Sequence, residues 1–251
     1  MINYDHSQNI HTLEGPRAAF PLLFPKGLPS SLMDVGCGRG TWLKAASDCG
    51  ISDLMGVDGV AISPEEFLLE GGRFECHDLT RSWTVGRRFE AVLCLEVGEH
   101  LAAAHADTLV QSLTRHADTV IFSAACPGQP GQHHVNCQWP AYWQEIFNKH
   151  GFSCYDTIRP SIWQDTRIEP WYRQNVFLAL NQPDVAGKEE RLRPLVHPDM
   201  LPYLHAAMLD QELKNRVITA GSHDIPVSWL ASALVRRIGS KLSRLVRGVR
   251  V

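Results

Sequence analysis

None of the seven cysteines (37, 49, 76, 94, 126, 137 and 154) forms a C-x-x-C pair, so nothing in their spacing suggests a zinc ribbon or a dithiol redox centre. An unpaired, odd set fits a reducing, cytoplasmic setting, with Cys76 and Cys94 serving as small hydrophobes in strand-like runs. No stretch reaches the ~20 apolar residues of a membrane-spanning helix. The first residues lack the basic start and apolar run of a signal peptide. Basic charge is not in excess: the formal net charge is −3, so the bulk surface has no general pull on nucleic acid. An Asn/Asp-Pro-Pro-Tyr motif for amino-group methylation of bases is also missing, and so is a Tyr-x-x-x-Lys pair. Internal repeats and low-complexity segments are absent.

What is present is ordinary for one globular core: 251 residues, 44% hydrophobic and 20% charged. Strand-like runs at 32–35, 54–57, 73–76, 89–95 and 119–123 alternate with helical patterns at 41–49, 64–69, 101–116 and 139–150. Late strands follow at 152–158 and 175–180. This alternation predicts an α/β fold, a mostly parallel sheet with helices on both faces. Three regions are expected: an N-terminal cap over 1–30 with a short helix at 15–24, a main domain over 31–180, and an α-helical appendage over 181–251.

Asp34-Val-Gly36-Cys-Gly38-Arg-Gly40 follows the first strand and opens a helix, the context of a cofactor-binding glycine turn. Glycines let the backbone turn sharply and let a ligand approach the main chain. Asp58 ends the second strand, where a carboxylate can accept from both ribose hydroxyls. Asp78 and Leu79 follow the third strand, suited to an adenine amine and an apolar ring face. Each aspartate alone is as readily a turn or cap residue; three after three successive strands favour a cofactor.

Residues 31–100 resemble the cofactor half of the class I S-adenosylmethionine-dependent methyltransferases, small-molecule type. The resemblance covers roughly residues 30–180. It implies a three-layer Rossmann-like sheet of seven strands, the last antiparallel, with S-adenosylmethionine as cofactor. Asp34, Gly36, Gly38, Asp58, Asp78 and Leu79 are the implied contacts. Leu95-Glu96-Val97-Gly98-Glu99-His100 resembles the end of strand four in that family, which makes Glu96 a candidate beside the methionine portion; Glu99 and His100 read equally as the start of the next helix. A nicotinamide-dependent oxidoreductase is the main alternative, although its G-x-G-x-x-G fingerprint has the third glycine one place later. A non-catalytic domain that binds the cofactor is the other.

The loop 126–140 follows the fifth strand, outside whose carboxyl end ligands bind in open α/β sheets. It carries His133 and His134, and histidine is suited to removing a hydroxyl proton near neutrality. These two are the candidate catalytic residues, with His134 favoured by its closeness to Asn136; loop scaffolding is the plainer reading. His100 and His11 are in reserve. No metal site is expected. Trp139, Trp143, Trp163, Trp171 and Tyr172 are expected to pack more than to stack a substrate, and Arg159, Arg167 and Arg173 either hold an anionic group or are surface charges. The expected reaction is methyl transfer to a small molecule, with a hydroxyl of a sugar, polysaccharide precursor or secondary metabolite favoured and no nucleic-acid partner. A last helix over 226–251 would carry leucine and valine on one arc and arginine on the other, which suits either an anionic membrane surface or self-association.

Overall fold

The computed structural model describes Tyr4, residues 12–218, Ala231 and residues 234–235. His11 and nearly all of the expected helix 226–251 lie outside the described residues. Seven strands, β1 (Ser31–Val35), β2 (Asp53–Asp58), β3 (Arg73–Cys76), β4 (Ala91–Leu95), β5 (Thr119–Ser123), β6 (Phe152–Tyr155) and β7 (Phe177–Asn181), form one sheet in the order β3-β2-β1-β4-β5-β7-β6. The first five run parallel, whereas β7 is antiparallel to both β5 and β6. This is the seven-stranded, mostly parallel sheet expected from the sequence, with the late hairpin inserting its second strand next to β5.

Seven α-helices accompany it among the described residues: α1 (Glu14–Leu23), α2 (Thr41–Asp48), α3 (Ala106–His116), α4 (Pro140–Lys149), α5 (Arg159–Ile162), α6 (Pro170–Asn175) and α7 (Leu201–Ile218). The strand period of two sends successive side chains to opposite faces. Leu32, Leu93 and Ile121 join the core beneath α1 and α2, while their neighbours Met33, Cys94 and Phe122 join the core beneath α3 and α4. Both faces are therefore buried, which is why the central strands read as continuous apolar runs.

The sequence pattern misses at three places. Residues 64–69 form turns and bends instead of a helix; the helix expected from residue 101 is a 3-10 turn at Ala103–His105 leading into α3. Between the two late strands, α5 and α6 went unforeseen, because four and six residues are too few to show a helical period. The chain divides into two compact units, Met1–Leu204 and His205–Val251. Within the first, Leu192, His197 and Met200 are buried, so the segment beyond β7 packs in the same unit as the sheet. In the second, the described side chains of α7 are exposed or partly so. No helix among the described residues is long and apolar enough to cross a membrane.

Phe122 sits at the centre of the α3/α4-side core, its ring 5.0 Å from that of Trp143 and 5.4 Å from those of Phe147 and Phe177. It is fully buried. Phe122→Ala should therefore cost about 3–5 kcal/mol, read as a lowered urea midpoint with an unchanged slope. A loss below about 1 kcal/mol would mean that this side of the sheet repacks freely.

Candidate active site

The turn after β1 is where the sequence places its cofactor, and its geometry follows from backbone hydrogen bonding. Gly36, Gly38 and Gly40 all adopt positive φ (74°, 50° and 83°), a region costly for residues with a Cβ. Gly36 and Cys37 donate their N–H groups to the Val57 carbonyl at 2.7 and 3.1 Å. Gly38 donates to Asp58 Oδ2 at 2.8 Å, while Val60 donates to Oδ1 at 2.9 Å. The β1–β2 register, with Val35 opposite Val57, brings the turn against the end of β2. Asp58 thus has two jobs: it braces the turn, and it lines the cavity beside it.

That cavity has a volume of about 410 Å³, within the range of small-molecule sites. Gly36, Gly38, Asp58, Asp78, Leu79 and Glu96, six of the seven sequence candidates for cofactor contact, line it. Asp34, the seventh, lies behind the turn, 2% exposed and outside the lining, with Oδ2 lacking a hydrogen-bond partner. Burial pushes its carboxyl up to about 8, with the Asp58 carboxylate adding to the effect. Asp78 shows the turn chemistry of its residue type: Oδ1 accepts from the Thr80 N–H at 3.0 Å and hydroxyl at 2.6 Å, and these bonds lower its pKa. Leu79 is buried beside it as an apolar wall. A glycine turn that admits close approach, a carboxylate at the end of β2 and an apolar wall after β3 fit an adenosyl group.

The opposite end of the cavity is built from the segment after β4 and the loop after β5. Glu96 has φ 56°, unusual for a residue with a side chain. Gln129 Nε2 donates to its carboxylate at 2.7 Å, and Asn175 Nδ2 reaches both oxygens at 3.2 and 3.4 Å. Burial raises its pKa against these bonds. The loop is anchored to the same segment: Val135 and Asn136 donate N–H groups to the Glu99 carbonyl at 2.9 and 3.0 Å, and Gln138 donates to the Ala125 carbonyl at 3.1 Å.

The two loop histidines end up in different places. His134 lines the cavity, with its ring 5.0 Å from that of His100 and Nε2 3.9 Å from Glu99 Oε1. His133 is exposed, has φ 60° and is outside the lining, so of the two loop histidines only His134 borders the cavity. The physical reason is the anchoring of 135 and 136 to Glu99, which brings in the residue next to the anchor and leaves His133 on a left-handed turn. Glu99 and the reserve candidate His100 lie in a 3-10 turn at Gly98–His100, and both line the cavity. Tyr4 also lines it, its ring 4.8 Å from that of His100; no motif marks that tyrosine.

Of the aromatic group, Trp143 belongs to the core, whereas Trp171 and Tyr172 line the cavity together with Tyr203. The three arginines are engaged in the fold. Arg159 pairs with both oxygens of Asp156 at 2.6 Å and donates to the carbonyls of Gln174 and Arg193. Arg173 donates to the Trp163 carbonyl and to Asp199. Exposed Arg167 pairs with Asp165. No anion site forms from them.

Comparisons with known proteins agree with this architecture. The profile of a family described as "Methyltransferase domain" matches residues 10–159. No curated protein matches the chain. Among solved structures, the sugar N-methyltransferase KedS8 from Streptoalloteichus superposes with a TM-score of 0.53 at 14% identity, over 67% of this chain and 87% of that one. CalS10, an amino pentose methyltransferase from Micromonospora echinaspora involved in calicheamicin biosynthesis, gives 0.50 at 14% identity over 69% and 93%. DesVI from Streptomyces venezuelae gives 0.50 at 15% identity over 66% and 92%. At such identities the likeness is one of fold.

Two outcomes test the turn. A Cβ on Gly36 would lie 2.2 Å from Val97 Cγ2 on a backbone that disfavours one, so Gly36→Ala should weaken adenosyl-ligand binding by at least about tenfold, or roughly 1.4 kcal/mol, by calorimetry. For Asp34, a folded pKa of about 8 against about 4 unfolded means that folding takes up a proton. Its contribution to stability is complete below about pH 4 and is lost as pH rises through about 8. Asp34→Asn should flatten the fall in Tm between those limits; parallel melting curves for variant and parent would show that Asp34 does not titrate this way.

Proposed function

The chain belongs to the class I S-adenosylmethionine-dependent methyltransferases, and from that premise we propose that it methylates a hydroxyl group of a small molecule, of the sugar, polysaccharide-precursor or secondary-metabolite kind. The observation that carries this reading is the continuity of one cavity of about 410 Å³ from the glycine turn to His134. The cofactor supplies an activated methyl group on sulfur, so the protein's share is to align the acceptor, exclude water and deal with the hydroxyl proton.

The residues divide that work. Gly36, Gly38, Asp58 and Leu79 receive the adenosyl end. Glu96, fixed by Gln129 and Asn175, faces the methionine portion. Trp171, Tyr203 and Tyr4 offer ring faces and edges around the rest of the cavity, which suits a sugar-sized or flat acceptor. His134 acts on the acceptor's hydroxyl. Its Nδ1 lies 3.1 Å from the Gln129 carbonyl, so that nitrogen carries the ring proton and Nε2 keeps its lone pair on the cavity side. Burial lowers the pKa of this imidazole, which keeps it neutral.

An amine acceptor is the second reading. The sugar N-methyltransferase and the amino pentose methyltransferase share this fold, and the lone pairs of Glu99, His100 and His134 would accept N–H donors as readily as O–H. Neither a nicotinamide enzyme nor a non-catalytic binding domain gains support from the site or the relatives.

Calorimetry with S-adenosylmethionine, its demethylated product and NAD is the first test, and binding of NAD alone would sink the reading. With labelled cofactor and matched hydroxy and amino sugars, His134→Ala should lower turnover by about 10²–10⁴, whereas His133→Ala should stay near the parent rate. Equal losses in the two variants would remove His134 from its role, and transfer to the amino sugar alone would move the reading to nitrogen.

A further inference from the structure

Glu99 is fully buried, yet neither of its carboxylate oxygens has a hydrogen-bond donor. Burial first, and then repulsion from the neighbouring Glu96 carboxyl, drive the Glu99 pKa well up, against the backbone N–H groups of Glu99 and Ala125 that lie near it. His100 Nδ1 is likewise buried without a partner. The backbone carbonyls of Gln132 and His133 engage the His100 ring, which assigns its proton to Nε2 and leaves Nδ1 bare. The Gln129 carbonyl does the same at Nδ1 of His134, leaving Nε2 bare. One ligand atom from each of these three side chains lies within 4.8 Å of the others, and no partner sits at hydrogen-bond distance from His100 Nδ1 or from either Glu99 carboxylate oxygen. A proton shared between Glu96 and Glu99 would relieve one oxygen and leave both ring nitrogens bare. Buried acceptors left in this state are costly unless a cation or donor fills the space between them.

We propose that Glu99, His100 and His134 form a binding site for a divalent first-row transition ion, with zinc the best match. Two imidazoles and a carboxylate are the donor set of open zinc sites, which keep a further position for a non-protein ligand. Magnesium and calcium prefer all-oxygen surroundings. The carbonyls that fix both ring tautomers are the outer support that metal-bound histidines need. Ligand bonds of about 2.1 Å imply ligand atoms about 3.4 Å apart, so the three groups would close inward slightly on loading. Gly131 leaves room for the imidazole: a Cβ there would come within 2.0 Å of His134 Nε2. The inference rests on the acceptor lying at this end of the cavity. His134 is the ligand on the open side, its side chain 12% exposed against 1% for Glu99. The ion's remaining position therefore faces the acceptor, where it would hold the hydroxyl and make it more acidic; with the Nε2 lone pair of His134 committed to the ion, His134 then acts through the ion instead of as the proton acceptor, and the hydroxyl proton leaves to solvent water.

The test uses the full chain, freed of metal with a chelator and titrated with zinc chloride and, separately, with cobalt(II) as a spectroscopic probe. One zinc per chain is expected, unaffected by excess magnesium, with a cobalt spectrum free of sulfur charge transfer. His100→Ala, His134→Ala and Glu99→Gln should each weaken zinc binding by at least about tenfold, and His133→Ala should bind as the parent does. Circular dichroism checks each variant; because Glu99 is buried, the two histidine variants decide the matter if Glu99→Gln fails to fold. The site is overturned if the parent takes up no zinc, if both histidine variants bind it unchanged, or if sulfur bands show that cysteines are the ligands. Cofactor binding on the same metal-free sample separates the claims. Binding of S-adenosylmethionine without zinc uptake would remove the ion site alone, whereas zinc uptake without cofactor binding would count against the methyltransferase reading and leave the ion site standing.

Discussion

Three consecutive backbone N–H groups of the turn after β1 converge on the end of β2, two on the Val57 carbonyl and one on the Asp58 carboxylate. Much of the site follows from that convergence. It holds Gly36 in a left-handed conformation against Val97, so the turn and the segment after β4 form adjoining walls of one cavity. It also draws Asp34 under the turn beside Asp58, where the two carboxyl groups compete for charge and Asp34 keeps its proton. The Asp58 carboxylate accepts N–H groups from Gly38 and Val60, whereas Asp34 Oδ2 is buried without a partner.

A second set of backbone bonds builds the other end. The Glu99 carbonyl accepts two N–H groups from the loop after β5, which fixes where that loop crosses the cavity. The loop in turn supplies Gln129, which reaches back to Glu96 and is itself bonded by Asn175 from the end of α6. Glu96, Gln129 and Asn175 therefore link three separate parts of the chain through side-chain amides. Such networks hold geometry when every member is satisfied. Here the satisfied network borders the unsatisfied group of Glu99, His100 and His134, so a rigid frame surrounds the position where a ligand has most to gain.

The buried arginines give the segment beyond β7 its place. Arg159 and Arg173 are among the least exposed side chains of the protein, and their hydrogen bonds run to Arg193 and Asp199 beyond the last strand. A guanidinium can serve this way because its five donors satisfy carbonyls and carboxylates in one plane. This fastening keeps Met200 and Tyr203 at the cavity wall.

Much of the fold was legible in the sequence. Alternating apolar runs and helical stretches, a glycine turn between the first strand and helix, and aspartates after β2 and β3 are local signals, and local hydrogen bonding and side-chain periodicity write them directly into neighbouring residues. The family resemblance and the late antiparallel hairpin rest on the same kind of signal. Contacts between distant residues carry no such signal. Whether Asp34 faces the cavity or the core, and whether His133 or His134 enters it, depends on pairings such as Gly36 with Val57 and Asn136 with Glu99. Arg159 and Arg173 read as ligand-binding or surface charges until the chain beyond β7 folds over them. Glu99 reads as a helix start and His100 as no more than a reserve base until the loop after β5 brings His134 against them. Sequence determined the elements and the chemistry available at the cofactor end. Tertiary structure alone decided which polar groups are left without partners, because satisfaction of a buried donor or acceptor depends on what the rest of the chain brings to it.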